Sequence, residues 1–175
     1  MEISLKYVDE DDKCYGITGM AVSMVVWDCE NLLSAISLDA RADKVVEFTP
    51  DFYFSGNPRL SPKLAWKQIL ENFQVSISML ISNVVCRNYM SKGVALNSDT
   101  KRLLYKHIED EARETCSLER DEIEHMFNKS YDYIERIFSH HAVQNIVREF
   151  ADTLKRQRRL TRAEVIENLQ ALNML

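Results

Sequence analysis

Residues 61–90 read SPKLAWKQILENFQVSISMLISNVVCRNYM, and their apolar spacing decides the fold class. Trp66, Leu70, Phe73, Ile77, Leu80 and Val84 step by four and three alternately, which places them on one stripe of an α-helix. Ser61 before Pro62 is a strong start, because a serine side chain caps open amides and proline fits the first helical position. Gly93 supplies a stop just past Met90. The stretch predicts a helix over residues 62–90, about 40 Å long at about 1.5 Å per residue.

On the N-terminal side, residues 17–38 carry Met20, Val22, Met24, Val25, Trp27, Leu32, Leu33 and Ile36 on nearly every helical face, which predicts a second central helix surrounded by others. On the C-terminal side, Ser98 or Asp99 caps a helix bearing Leu104, Ile108 and Ala112. Ser117 caps another bearing Ile123, Phe127, Tyr131, Ile134 and Phe138. Val143, Val147, Phe150 and Leu154 continue the same spacing past His140 and His141, where no proline enforces a break. Thr161 and Glu164 match a capping box that opens a short helix with Val165, Leu169 and Leu172. Residues 45–54 differ: β-branched and aromatic residues around Pro50-Asp51 predict a small extended or hairpin element. Residues 1–16 read as an N-terminal extended segment, with Ile3, Leu5 and Tyr7 in alternation. The expectation is an all-α, single-domain bundle of about six helices with two long central ones, closed by a C-terminal capping or exchange helix over residues 161–175.

Composition sets the class. The 175 residues are 46% apolar and 28% charged with only 4 Gly and 3 Pro, which excludes a disordered or collagen-like chain. Lys and Arg number 22 against 27 Asp and Glu, a net charge of −5, so any nucleic-acid site must be local. Cys14, Cys29, Cys86 and Cys116 form no CxxC and read as small hydrophobes of a reducing cytoplasm. The N-terminus lacks the basic and apolar regions of a signal peptide. The apolar runs at residues 17–27 and 75–86 fall short of the ~18 residues of a membrane span, so no membrane partner is expected.

Few residues carry a chemical signature. Glu122 and His125 form one Glu-x-x-His, which on a helix puts carboxylate and imidazole on one face as in di-iron bundles, yet no second such motif is present. No metal or cofactor is therefore expected. Arg136-Ile137-Phe138-Ser139-His140-His141 resembles, over these six residues, the metal-independent ribonuclease motif of HEPN domains. The resemblance implies that Arg136 steadies charge on a phosphorane while His140 or His141 moves a proton. It departs from that motif where Ile137 follows the arginine in place of a polar residue.

Lys155, Arg156, Arg158, Arg159 and Arg162 make the one basic cluster, fit for phosphates or for an acidic partner. An acidic counterpart lies at Glu109, Asp110, Glu111, Glu114, Glu119, Asp121, Glu122 and Glu124, on which a basic tail could dock within one chain or between two; the leading reading of the basic residues is a solvated helix end whose cations complement the helix dipole. Phe48, Phe52, Tyr53 and Phe54 form an aromatic loop, and aromatics dominate interface hot spots. With Leu169 and Leu172 of the tail they are the candidate interface, since a short amphipathic tail can exchange between copies. The leading expectation is a soluble cytoplasmic interaction or regulatory protein, non-enzymatic and homodimeric. The alternative is an RNA-binding protein or ribonuclease using Arg136, His140, His141 and the basic cluster.

Overall fold

The computed structural model describes residues 6–53 and 62–175. Most of the chain is helical: α1 (Glu10–Val26), α2 (Pro50–Tyr53), α3 (Pro62–Lys92), α4 (Ser98–Cys116), α5 (Arg120–Ser139), α6 (His141–Gln157) and α7 (Arg162–Asn168). Three short strands, β1 (Leu33–Ser37), β2 (Val46–Phe48) and β3 (Arg159–Thr161), form an antiparallel sheet in the order β2-β1-β3. The fold is an all-α multihelical bundle with this small sheet on its flank.

The centre is the crossing of α1 and α3, which run antiparallel. Small residues permit the approach: a methyl group added at Gly19 would lie 2.5 Å from the Ser82 carbonyl oxygen and 2.7 Å from Cys86 Cβ. At Gly16 the same addition meets Asn83 and Tyr7 at 2.7 Å. Around this contact, α5 and α6 lay down the stripes expected of them. Ile123, Phe127, Tyr131, Ile134 and Phe138 of α5 are buried, as are Val143, Val147, Phe150 and Leu154 of α6. One apolar cluster joins them to Leu33, Ile36, Leu160 and Val165 around the sheet.

Several expectations are corrected. The helix expected over residues 17–38 ends at Val26, where Asp28 takes a left-handed φ of 53°. Cys29 N–H then donates to the Met24 carbonyl at 2.8 Å and Asp28 N–H to Val25 at 3.1 Å, the double closure that ends a helix. Leu33, Ala35 and Ile36 continue as a buried strand, whose continuous apolar character is the same in sequence as that of a buried helix. The extended segment expected over residues 1–16 gives way to α1 at Glu10, because the Asp9 side chain accepts from the Asp12 amide at 2.7 Å and caps the helix. Residues 1–5 lie outside the described residues.

Within residues 45–54, Val46–Phe48 is a strand paired with β1, whereas Pro50 opens one helical turn and is not the tip of a hairpin. The caps also move. Asn97 caps α4, accepting from the Thr100 amide at 2.8 Å, and Ser117, left-handed at φ 50°, ends α4 instead of starting α5. The expected start at Ser61 lies outside the described residues.

Helix α3 contains a stretch, Trp66–Lys92, long and apolar enough by length and composition to cross a membrane, which counting uninterrupted apolar runs does not show. More than half of its most apolar window is buried inside the fold, the setting of a core helix. Trp66 departs from the stripe and is 43% exposed. The reason is length: the 31 residues of α3 outrun the 17 of α1, so its first turns project past the crossing.

Candidate functional site

The basic cluster sits where α6 turns into β3, and the chain's own carboxylates surround it. Arg158 donates through Nη2 to Asp39 at 2.6 Å and through Nη1 to Glu10 at 2.7 Å. These hydrogen bonds hold the Glu10 and Asp39 carboxyls below their ordinary range and push the guanidinium up. Lys155 pairs with Asp11, whose hydrogen bond raises the ammonium, and Arg159 pairs with Glu47 at 3.1 Å. Arg162 donates to the Asn31 carbonyl at 3.2 Å. Arg156 donates to the Thr153 hydroxyl at 3.3 Å and meets no carboxylate within 4.0 Å among the described residues. The cluster thus fastens the tail to the first turn of α1 and to the sheet. The expected partner, the acidic region of residues 109–124, is not the one it meets: the acids that reach it are Glu10, Asp11, Asp39 and Glu47.

Arg136 and His140 come together at the junction of α5 and α6, lining one open hollow of about 310 Å³ with Tyr133, Ile137, Val143 and Leu175. His141, the first residue of α6, is exposed and is not among the lining residues. His140 caps α6, its Nδ1 accepting from the Ala142 amide at 3.3 Å, so a proton on this imidazole belongs on Nε2. The Arg136 guanidinium lies 6.0 Å from the Tyr133 ring centroid, and Tyr133 meets Trp27 edge-on at 5.0 Å. Ile137, at the position the motif would keep polar, packs half-buried against the core, and Phe138 after it is a core side chain. An arginine and one imidazole edge in an otherwise apolar hollow can attract a phosphate and exchange one proton with it.

Glu122 and His125 are both exposed on α5, and the Glu122 carboxylate is engaged, accepting the Glu119 amide at 2.9 Å as part of the helix start. No group of three His, Cys, Asp or Glu side chains is close enough to hold a metal ion among the described residues. Burial pushes all four thiols up, Cys14 to about 11, and the Cys14 Sγ–H donates to the Ala151 carbonyl at 3.3 Å.

The candidate interface residues divide. Phe48 and Phe52 stack on each other with centroids 4.0 Å apart, and the Phe52 carbonyl accepts from Asn72 on α3 at 3.1 Å. The aromatic segment is thereby seated on α3. Tyr53 ends α2, and Phe54 lies outside the described residues. Leu169 is fully buried in this chain's own core and Leu172 packs against its edge, so the tail folds back on its own bundle. Trp66, which the spacing assigned to the core, is the large aromatic left open among the described residues. The step from Trp66 to Ile69 and Leu70, both half-buried, marks the transition from projecting to packed helix. No protein-family model matches this chain, nor does any curated protein or solved structure.

Proposed function

We propose that this chain is a soluble, cytoplasmic, non-enzymatic interaction or regulatory protein of one domain that self-associates through the first turns of α3. The observation that carries this reading is the exposure of Trp66 on a helix that outruns its neighbours. An exposed tryptophan flanked by half-buried Ile69 and Leu70 has the composition of an interface anchor. Charge favours a second copy as the occupant. Lys67 and Glu71 are both exposed and lie 3.8 Å apart along one helix. A two-fold axis near Ile69 would set Lys67 of each copy beside Glu71 of the other, the self-complementary pattern of an isologous dimer.

Size-exclusion chromatography with light scattering tests it. The expected mass is twice that of one chain, falling to one chain in Trp66→Glu with an unchanged circular dichroism melt. A monomer at every concentration, or a dimer indifferent to Trp66→Glu, overturns the reading.

A second reading, RNA binding or RNA cleavage, draws on the single hollow shared by Arg136 and His140. Its mark is RNA retained at low salt and released at high salt, with retention lost in Arg136→Ala.

A further inference from the structure

The face of α4 against α5 carries a second hollow, of about 300 Å³, far in sequence from the basic cluster. Its floor is aromatic: Tyr105 of α4 meets Phe127 of α5 edge-on, with centroids 5.1 Å apart. Its rim is cationic, with Lys101 and Arg102 on α4 and Arg120 on α5. One acid, Glu124, and one carboxamide, Asn128, stand on the α5 side. Three cations face one carboxylate in the lining itself, with Asp99 beside Arg102 and Glu109 beside Arg120 just outside it.

We propose that this hollow binds a small phosphate ester carrying a flat ring, of the nucleoside monophosphate class. Volume restricts the ligand, because about 300 Å³ is the lower end of small-molecule clefts and admits a ring, a sugar and one phosphate. Charge selects a phosphate. The present partners of the two arginines hold them weakly: Arg102 meets Asp99 at 2.8 Å with both side chains more than three-quarters exposed, and Arg120 reaches Glu109 only at 4.0 Å. A solvent-open pair and a pair at 4.0 Å give way readily to a ligand, whereas a dianionic phosphate offers the forked guanidinium groups paired oxygens. The Lys101 ammonium lies 4.2 Å from the Tyr131 ring centroid. Tyr105 offers a ring to stack on. Asn128 and Glu124 offer a donor, an acceptor and a carboxylate to the polar edge of a base or to sugar hydroxyls.

The test is a titration of the full chain with adenosine 5′-monophosphate, read by amide shifts in two-dimensional NMR. Adenosine and inorganic phosphate are run as separate arms. The expected result is shifts confined to residues 98–105 and 120–128, with the monophosphate binding at least tenfold tighter than either fragment. Arg102→Ala with Arg120→Ala should weaken binding at least tenfold, and because both side chains are exposed the double variant should keep the parent's melting curve. Asn128→Ala, which leaves every charge in place, should weaken the monophosphate and leave inorganic phosphate unchanged. Four outcomes overturn the proposal: no shifts, shifts outside these residues, equal binding of inorganic phosphate alone, or tighter binding of a single-stranded RNA at the same residues. Trp66→Glu should leave the titration unchanged, which separates this site from self-association.

Discussion

Arg87 of α3 grips Asp12 of α1 through two hydrogen bonds, Nε to Oδ1 at 2.8 Å and Nη2 to Oδ2 at 2.6 Å, with both side chains mostly buried. The same carboxylate accepts the Val8 amide at 2.9 Å, and the same guanidinium reaches the Lys6 carbonyl and lies 4.9 Å from the Tyr7 ring centroid. One ion pair therefore fixes the α1–α3 crossing and the strand of chain that leads into it.

The pair should make stability depend on acid. Burial pushes the Asp12 carboxyl up, but the Arg87 hydrogen bonds, the Val8 amide and the guanidinium charge together outweigh it and leave the group below its ordinary value. A depressed carboxyl contributes stability above its unfolded value, about 3.9, and loses it as pH falls through the lower folded value. Urea midpoints should be flat near neutrality and fall below about pH 4, and the part of this fall due to Asp12 should be absent in Asp12→Asn. Arg87→Ala, which strands the carboxylate, should cost about 3 kcal/mol at pH 7.

Gly19→Ala should destabilise the fold sharply. The added methyl would meet the Ser82 backbone oxygen at 2.5 Å, and a main-chain atom in mid-helix cannot rotate away. Overpacking of this kind costs about 1–3 kcal/mol, here near the upper end, read as a lowered Tm. Gly93→Ala meets no neighbour and is disfavoured only by its φ of 71°, so it should cost less, about 1 kcal/mol.

Thiol chemistry should be slow in the folded protein. Burial pushes Cys14 up to about 11 and raises Cys29, Cys86 and Cys116 as well, so little thiolate is present at pH 8. Ellman's reagent at pH 8 should react slowly with the native chain and promptly with four thiols in denaturant. Fast native labelling of Cys14 or Cys86 would contradict the packing described for them.

Charge removal in the basic cluster should be unequal. Arg158→Ala deprives Glu10 and Asp39 of their shared partner, whereas Arg156→Ala removes only a hydrogen bond to Thr153. The Arg158 variant should lower Tm clearly more than the Arg156 variant at low salt. The gap should narrow in 1 M salt, because these groups are open to solvent.

Where periodicity is one-sided, the sequence is legible. Ile123, Phe127, Ile134 and Phe138 share one stripe and are all buried, and Thr161 with Glu164 marks the start of α7 correctly. Residues 27–38 are not legible, since Leu33 and Ile36 are apolar in a setting apolar on every side, where helix and strand periods cannot be told apart. The turn that separates them uses Asp28 in a conformation usually supplied by glycine or asparagine. The partners of Arg158 and Arg159 lie 112 to 148 residues away in the chain, and no local pattern indicates them. The hollow between α4 and α5 escaped for a related reason: Lys101-Arg102 and Arg120 are separated by the acids of residues 109–114, and only the helix pairing gathers them.

The pairing of Ile36 with Leu160 joins strands more than a hundred residues apart, with β1 in the middle of the sheet. A contact of that span closes a very large loop, so the β1–β3 edge should form after the β1–β2 pairing and other contacts nearer in the chain. During synthesis β1 waits with one edge unpaired until residues 159–161 emerge from the ribosome. For that interval its exposed edge is a template for pairing with another nascent chain.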